Sequence, residues 1–201
     1  MAIKGIIFDM DGTLIDSRLD FDQMRVDLGL PVEAPILETI ESYTGDRRLE
    51  CERILRRHEQ RGVQLATVFP GIPELVRHAD ALGLKMAIVT RNLYEFAVEM
   101  LKLLPVNFSP VIGREQGPIK PDPWALLHIC QQWGIQPGEA IMAGDYRFDL
   151  EAGKNAGCPT LWFSQQRTPG KSDWHQLADY TISENSVGTD VLDQILRDHV
   201  N

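Results

Sequence analysis

The chain has 201 residues, 43% of them hydrophobic and 24% charged, which is the composition of an ordinary folded protein with one core or a core plus a small inserted domain. The net charge is −9 and the acidic residues are spread along the chain, which argues against the basic face that a phosphate backbone needs, so we expect no nucleic-acid partner. No apolar run predicts a membrane span or a signal peptide, and the three widely spaced cysteines indicate reduced, mostly buried thiols in a cytoplasmic protein.

The first predicted element is a buried strand, residues 3–8, which ends in the two carboxylates Asp9 and Asp11. If the chain stays extended, both acidic side chains point the same way, and they repel unless a cation or a shared proton compensates. Gly12 lets the backbone turn sharply at this point. The pattern fits a ligand site at a sheet edge, but a strand followed by an ordinary Asp-Gly turn is the alternative.

An all-helical insertion is predicted next. Residues 21–30, 34–43 and 47–61 carry apolar positions at helical spacing, and no strand is predicted among them. We expect a helical domain over 17–69, inserted into a main domain formed by 1–16 and 70–201. The last of these helices is rich in arginine. Surface ion pairs are the favoured interpretation, and contact of one or two arginines with an anionic substrate is the alternative.

From residue 70 onwards, strands and helices alternate. We predict strands at 85–90, 109–112, 140–143, 160–163 and 180–182, helices at 73–82, 93–104, 122–133, 149–156 and 187–199, and a surface loop at 164–172. Parallel strands need crossover connections, which these helices would supply. The expected fold class is therefore α/β, a doubly wound parallel sheet with helices on both faces.

Chemically competent side chains follow the predicted strands. Thr90 ends one strand and Asp145 follows another, while Lys120 stands between prolines in the segment 117–123. Because the carboxyl ends of parallel strands lie on one edge of the sheet, we expect Thr90 and Asp145 to converge on Asp9. A lysine held between prolines loses less freedom when it engages an anion. Singly, each residue fits a cap, a turn or a solvated surface, but their order favours a site.

These motifs resemble those of the haloacid dehalogenase superfamily, whose phosphotransferases use an aspartate nucleophile. Residues 9–13 match the first motif, Thr90 the second, Lys120 the third, and Asp145 with Asp149 the fourth. The helical insertion resembles the cap of the phosphoglycolate phosphatase-like branch, although it is shorter. The resemblance implies a Rossmannoid α/β core, which agrees with the predicted sheet.

The resemblance also implies the chemistry of the acidic residues. Asp9 would attack phosphorus and form an aspartyl-phosphate, and Asp11 would protonate the leaving alcohol and then activate water. Hard oxygen ligands suit Mg²⁺, and the implied ligands are the Asp9 side chain, the Asp11 carbonyl and Asp145, with Asp149 acting through water.

A second group of residues is implied to bind the phosphate. Thr90 and the backbone amides of Arg91 and Asn92 would hold the phosphoryl oxygens. Lys120 would neutralise charge on the nucleophile and on the phosphate. Together with magnesium, these residues imply a phosphatase that hydrolyses a small phosphorylated metabolite.

Asp11 selects among the reactions of the superfamily. By resemblance, the dehalogenases and the phosphonate-cleaving branch lack this acid, and the latter needs a cap lysine, whereas residues 17–69 contain no lysine. A sugar-phosphate mutase and a catalytically silent binding protein remain as alternatives.

The substrate is less constrained. Phosphoglycolate and small sugar or polyol phosphates are the candidates by branch, with Arg18, Arg47 or Arg48 as possible contacts in the insertion. The bulky segment 146–148 departs from the fourth motif, and it would either crowd the site or bring Arg147 to the substrate. We expect a monomer or a small homo-oligomer.

Overall fold

The structure, a computed structural model, describes residues 1–164, 173–183 and 188–200. The chain forms two compact units, one of residues Ser17–Ala66 and one of Met1–Asp16 with Thr67–Asn201. The predicted loop at 164–172 lies outside the described residues except for Ser164.

The larger unit is built on a parallel sheet. In the described part of the chain the strands are β1 Gly5–Phe8, β2 Ile15–Asp16, β3 Thr67–Val68, β4 Lys85–Val89, β5 Val111–Ile112, β6 Ala140–Gly144, β7 Thr160–Phe163 and β8 Tyr180–Ile182. Six of them form a sheet in the order β5-β4-β1-β6-β7-β8, with every pair parallel. After β1, the chain adds β4 and then β5 on one side of β1. It then crosses over and adds β6, β7 and β8 on the other side. The predicted doubly wound α/β class is confirmed.

The helices supply the crossovers. Over the same described ranges they are α1 Phe21–Leu28, α2 Ile36–Glu41, α3 Gly45–Leu65, α4 Ile72–Ala81, α5 Tyr94–Leu101, α6 Trp124–Trp133, α7 Arg147–Ala156 and α8 Gly188–Asp198. The predicted helices are longer than the observed α1, α2, α5, α6 and α8, and they are shorter than α3 and α7. None of the helices in the described ranges is long and apolar enough to cross a membrane.

β1 lies at the centre of the sheet because all its residues are apolar or glycine and can be covered on both sides. Ile6, Ile7 and Phe8 are at most 1% exposed. Around Ile7, a core forms from the flanking strands and from α6 and α7, including Leu126 and Met142. This packing fixes the end of β1, and with it the position of the next residue, Asp9.

A short antiparallel ribbon was not predicted. β2 pairs with β3, with Ile15 opposite Val68 and Asp16 opposite Thr67. β3 lies inside the predicted helical insertion at 17–69, where no strand was expected, whereas the smaller compact unit ends at Ala66. Two-residue strands carry no readable alternation, so only the long-range pairing reveals them.

The smaller unit has its own apolar core. α1 ends where Gly29 adopts a left-handed conformation, φ 63°, and its Leu28 packs with Ile54 and Leu55 of α3. Arg47 donates to the Leu28 carbonyl and lies over the Tyr43 ring. Such internal contacts favour a structural role for Arg47.

Arg48 is engaged on the surface of α3. It pairs with Glu52 at 2.8 Å, one turn further along the helix. This arrangement matches the surface ion pairing that the sequence favoured.

Candidate active site

Three predicted site residues stand at the ends of adjacent strands. Asp9 follows β1, and Phe8 at the end of β1 is in register with Ile88 of β4 and Ala143 of β6. Thr90 follows β4 and Asp145 follows β6. The strand order therefore brings the three residues to the same stretch of the sheet edge, as the sequence predicted.

Asp9 is a buried carboxylate between a cation and a hydroxyl. Its Oδ1 accepts a hydrogen bond from Lys120 Nζ at 2.6 Å, and its Oδ2 accepts one from Thr13 Oγ1 at 3.1 Å. Burial raises the pKa of Asp9 well above its usual range; Lys120 opposes this rise, and the neighbouring carboxylates of Asp149, Asp145 and Asp11 add to it. Keeping Asp9 ionised therefore depends on local positive charge.

Lys120 supplies part of that charge. Its ammonium lies 2.6 Å from Asp9 Oδ1, 2.7 Å from Asp149 Oδ1 and 2.7 Å from the Val89 carbonyl oxygen, and the residue is 2% exposed. Burial alone lowers the pKa of Lys120, but the carboxylates of Asp149 and Asp9 outweigh it and raise the pKa above its ordinary value. The lysine is thus held charged beside Asp9.

Asp11 faces the loop after β4. Its Oδ2 accepts hydrogen bonds from Thr90 Oγ1 and from Asn92 Nδ2, both at 3.3 Å. The Asn92 backbone amide, which the sequence assigned to the phosphate, donates to Thr90 Oγ1 at 3.0 Å. Sequence reasoning missed the contact of the Asn92 side chain, because a motif names the residue without the direction of its side chain.

Thr13 is a second contact that the sequence did not assign. Its hydroxyl is fully buried and reaches Asp9 Oδ2 at 3.1 Å and Asp145 Oδ1 at 3.4 Å. The position of Thr13, four residues after Asp9 across a glycine turn, was the available indication.

A cluster of three buried carboxylates could hold a metal ion. Each of Asp9, Asp145 and Asp149 offers an oxygen, and these oxygens lie within 4.8 Å of one another. A Cβ on Gly12, which has φ +86°, would lie 2.5 Å from Asp145 Oδ2, so only glycine allows the carboxylate this close to the backbone. A compact all-oxygen donor set fits Mg²⁺.

Asp149 lies in the first turn of α7, and its carboxylate reaches the site from there. Its Oδ2 accepts from the Tyr146 amide at 3.0 Å, while Oδ1 contacts Lys120. A Cβ on Gly144 would lie 2.3 Å from the Asp149 Cβ, so the close approach again needs glycine. Both Asp149 oxygens are thus engaged by the protein.

Comparison with known proteins gives a consistent result. The sequence profile of the haloacid dehalogenase-like hydrolases matches residues 3–157. A haloacid dehalogenase-like hydrolase domain-containing protein of Arabidopsis thaliana is 36% identical over 184 residues, covering 86% of this chain and 75% of that protein. A phosphoglycolate phosphatase of Chromobacterium violaceum is 33% identical, covering 79% and 84%.

The fold is also found among solved structures. The crystal structure of a hydrolase from Pseudomonas syringae superposes with a TM-score of 0.75 at 20% identity, covering 99% of each chain. At this identity the likeness concerns the fold alone.

Proposed function

This chain belongs to the haloacid dehalogenase-like hydrolases, and we propose that it hydrolyses the phosphoric monoester of a small metabolite with a magnesium ion beside Asp9. The observation that carries the proposal is the buried Asp9 carboxylate, with Lys120 at 2.6 Å and two further carboxylates within reach of one cation. A carboxylate so held is a nucleophile with its counter-charge in place.

In the first step, an Asp9 oxygen forms a bond to phosphorus while the bond from phosphorus to the leaving oxygen breaks. Asp11, in its protonated form, gives its proton to that leaving oxygen, and an alcohol departs. Lys120 stays beside Asp9 and balances the charge that spreads over the phosphoryl oxygens.

In the second step, Asp11 is a carboxylate and takes a proton from water. The resulting hydroxide bonds to phosphorus, the bond to the Asp9 oxygen breaks, and inorganic phosphate leaves with Asp9 restored. The hydrogen bonds from Thr90 and Asn92 to Asp11 Oδ2 support this role, because they orient the carboxyl group.

The phosphate would be held by groups at the ends of β1 and β4. The Arg91 amide and Lys120 offer donors, and the Thr90 hydroxyl becomes a donor to phosphate when it exchanges its bond to Asp11 Oδ2 for a phosphoryl oxygen. The Asn92 amide joins them when it exchanges its bond to Thr90 Oγ1 for a phosphoryl oxygen.

The proposed magnesium ligands are the side chains of Asp9 and Asp145 and the carbonyl of Asp11. Asp149 contributes through water, while its two oxygens keep their contacts with Lys120 and the Tyr146 amide. When bound, the ion supplies positive charge that offsets the crowded carboxylates and the phosphate.

The substrate class is a small phosphorylated metabolite. The relative from Chromobacterium violaceum is named a phosphoglycolate phosphatase, which makes phosphoglycolate the first candidate, with small sugar and polyol phosphates next. We propose that the enzyme acts as a monomer or a small homo-oligomer.

The test is magnesium-dependent release of phosphate from p-nitrophenyl phosphate by the wild type, Asp9→Asn and the exposed control Asp80→Asn. We expect activity in the wild type and in Asp80→Asn, loss in Asp9→Asn, and loss with excess chelator. If Asp9→Asn is as active as the wild type, Asp9 is not the nucleophile. If the wild type is inactive with magnesium present, the proposed phosphatase activity is refuted.

A panel of phosphorylated metabolites then separates the reactions. Hydrolysis releases inorganic phosphate from its preferred substrate, whereas a mutase moves phosphate within a sugar phosphate and releases little. Phosphoglycolate and glycerol phosphate, compared by kcat/KM, rank the substrate candidates.

A further inference from the structure

The bulky segment after Asp145 contacts the loop after β4. The Arg91 guanidinium carbon lies 4.3 Å from the centre of the Phe148 ring. From the same guanidinium, Nη1 donates to the Lys120 backbone carbonyl at 3.1 Å. One side chain thus joins the loops that carry Thr90, Lys120 and the start of α7.

We propose that Arg91 is a positioning residue: stacked on Phe148, its guanidinium holds the backbone of Lys120 so that the lysine ammonium stays within reach of Asp9. The proposal rests on the proposed function, since it concerns the rate of that reaction. It gives the segment 146–148 a role that neither crowds the site nor contacts the substrate.

The Phe148 ring is itself held in place. Tyr146 meets it nearly edge-on, with centroids 5.3 Å apart, and Arg147 lies 5.3 Å from its centre. Arg147 also pairs with Glu151 at 3.4 Å and keeps half of its side chain exposed. A half-buried aromatic ring with these neighbours offers Arg91 a fixed surface on which to stack.

Only arginine can make both contacts at once. Its planar guanidinium stacks on a ring face while its edge donates hydrogen bonds, and a cation within about 6 Å of the ring centre gains further attraction. Lysine keeps the charge but has no plane to stack and no second donor in a fixed direction. Arg91→Lys therefore separates positioning from charge.

The competing role is direct contact of Arg91 with the leaving group. That role predicts a higher KM for substrates with an anionic leaving group and little change for a neutral one. Positioning of Lys120 predicts a lower kcat for every substrate with KM little changed, because Lys120 acts on the phosphoryl group common to all of them.

The experiment measures kcat and KM with p-nitrophenyl phosphate and with phosphoglycolate, at saturating magnesium, for wild type, Arg91→Lys, Phe148→Leu and the double variant. Misplacement of a catalytic group by about 1 Å costs up to a hundredfold, so we expect kcat to fall about tenfold to a hundredfold in both single variants. Phe148→Tyr, which keeps the ring, should restore kcat. Arg77→Lys is the control, because Arg77 is exposed and pairs with Glu74 on the surface, and it should stay close to wild type.

The double variant shows whether the two residues act together. We expect it to lose no more kcat than the more affected single variant, because either change alone breaks the stack. Additive losses, a kcat retained in Arg91→Lys, or a KM effect confined to phosphoglycolate would each overturn the proposal.

Thermal unfolding tests the contact between Arg91 and Phe148 independently of the proposed phosphatase activity. The unfolding temperatures of the single and double variants should also be non-additive, whether or not p-nitrophenyl phosphate is a substrate. If the changes in unfolding temperature are non-additive and the wild type is inactive, the contact between Arg91 and Phe148 is supported and the proposed phosphatase activity is refuted. If the changes in unfolding temperature are additive and the wild type is active, the proposed role of the contact between Arg91 and Phe148 is refuted and the phosphatase activity stands.

Discussion

Replacing Lys120 by methionine tests the charge balance of the site most directly. Methionine has a similar length but neither charge nor donors, so the buried carboxylates of Asp9 and Asp149 lose the ammonium that lies 2.6 and 2.7 Å away. Breaking a buried pair by removing one partner costs about 3–5 kcal/mol. We expect a loss of that size in the free energy of unfolding at neutral pH without divalent metal.

The loss should depend on pH in a defined direction. The pKa of Asp9 is raised in the folded protein, so Asp9 costs stability as pH rises through that value. Removing Lys120 removes the charge that lowers this pKa, so the folded pKa of Asp9 rises further and the loss of stability becomes larger and extends to higher pH. Lys120 itself has a raised pKa, so its contribution is fully present throughout the neutral range. The deficit of the variant should therefore be large near pH 7.5 and shrink as the carboxylates become protonated.

Urea unfolding with chelator, at pH 7.5 and at about pH 4.5, measures this deficit. Lys102→Met is the matched control: Lys102 pairs with Glu99 on the surface, and exposed pairs contribute about 0–1 kcal/mol. The reasoning fails if Lys120→Met is as stable as the wild type at pH 7.5, or if its deficit does not change with pH. With magnesium present, kcat should fall by about 10²–10³, as for other lost transition-state contacts.

Three further changes probe neighbouring features. Gly12→Ala strains a φ of +86° and meets Asp145 2.5 Å away, so it should lose more than about 1 kcal/mol in urea unfolding; an unchanged midpoint contradicts this. Asp145→Asn should abolish the rise in unfolding temperature on adding magnesium, and an undiminished rise would exclude Asp145 as a ligand. Ile129→Ala, fully buried, should cost about 2–5 kcal/mol yet retain kcat, and a large loss of kcat would show coupling to the site.

The centre of the fold could be predicted because its signals are local. β1, β4 and β6 are buried apolar runs apart from Lys85, and a polar residue, Asp9, Thr90 or Asp145, follows each of them. A strand of this kind fits only the middle of a covered sheet. The adjacency of the three strands was not readable in detail, since it depends on which of several parallel neighbours each strand selects.

Helix ends were less predictable, because an apolar residue can be buried by a turn as well as by a helix. Leu104 was predicted as the end of a helix that begins at 93, yet α5 ends at Leu101 and Leu104 is buried in the turn that follows. The predicted third helix ended at 61, directly before a glycine, but α3 runs through Gly62, which is buried within the helix, and continues to Leu65.

The contacts between side chains were the part of the site that the sequence predicted least well. Motifs named Asp149, but its contact with Lys120 follows from the start of α7 at Arg147, two residues earlier than predicted. That start places Asp149 in the first turn, where one carboxylate oxygen accepts from the Tyr146 amide and the other faces the lysine. Local pattern cannot distinguish this arrangement from one in which Asp149 begins the helix.

The charges of these paired side chains also explain why we expect the site to bind a divalent cation. Asp9, Asp145 and Asp149 bring three buried carboxylates together, and Lys120 is the ammonium that contacts two of them. When all are ionised, two negative charges remain in excess in a place from which water is largely excluded, and burial already raises the pKa of Asp9. A dication balances that excess, whereas a second lysine would balance only half of it. Magnesium is thus expected from the charge of the folded site as well as from the motifs.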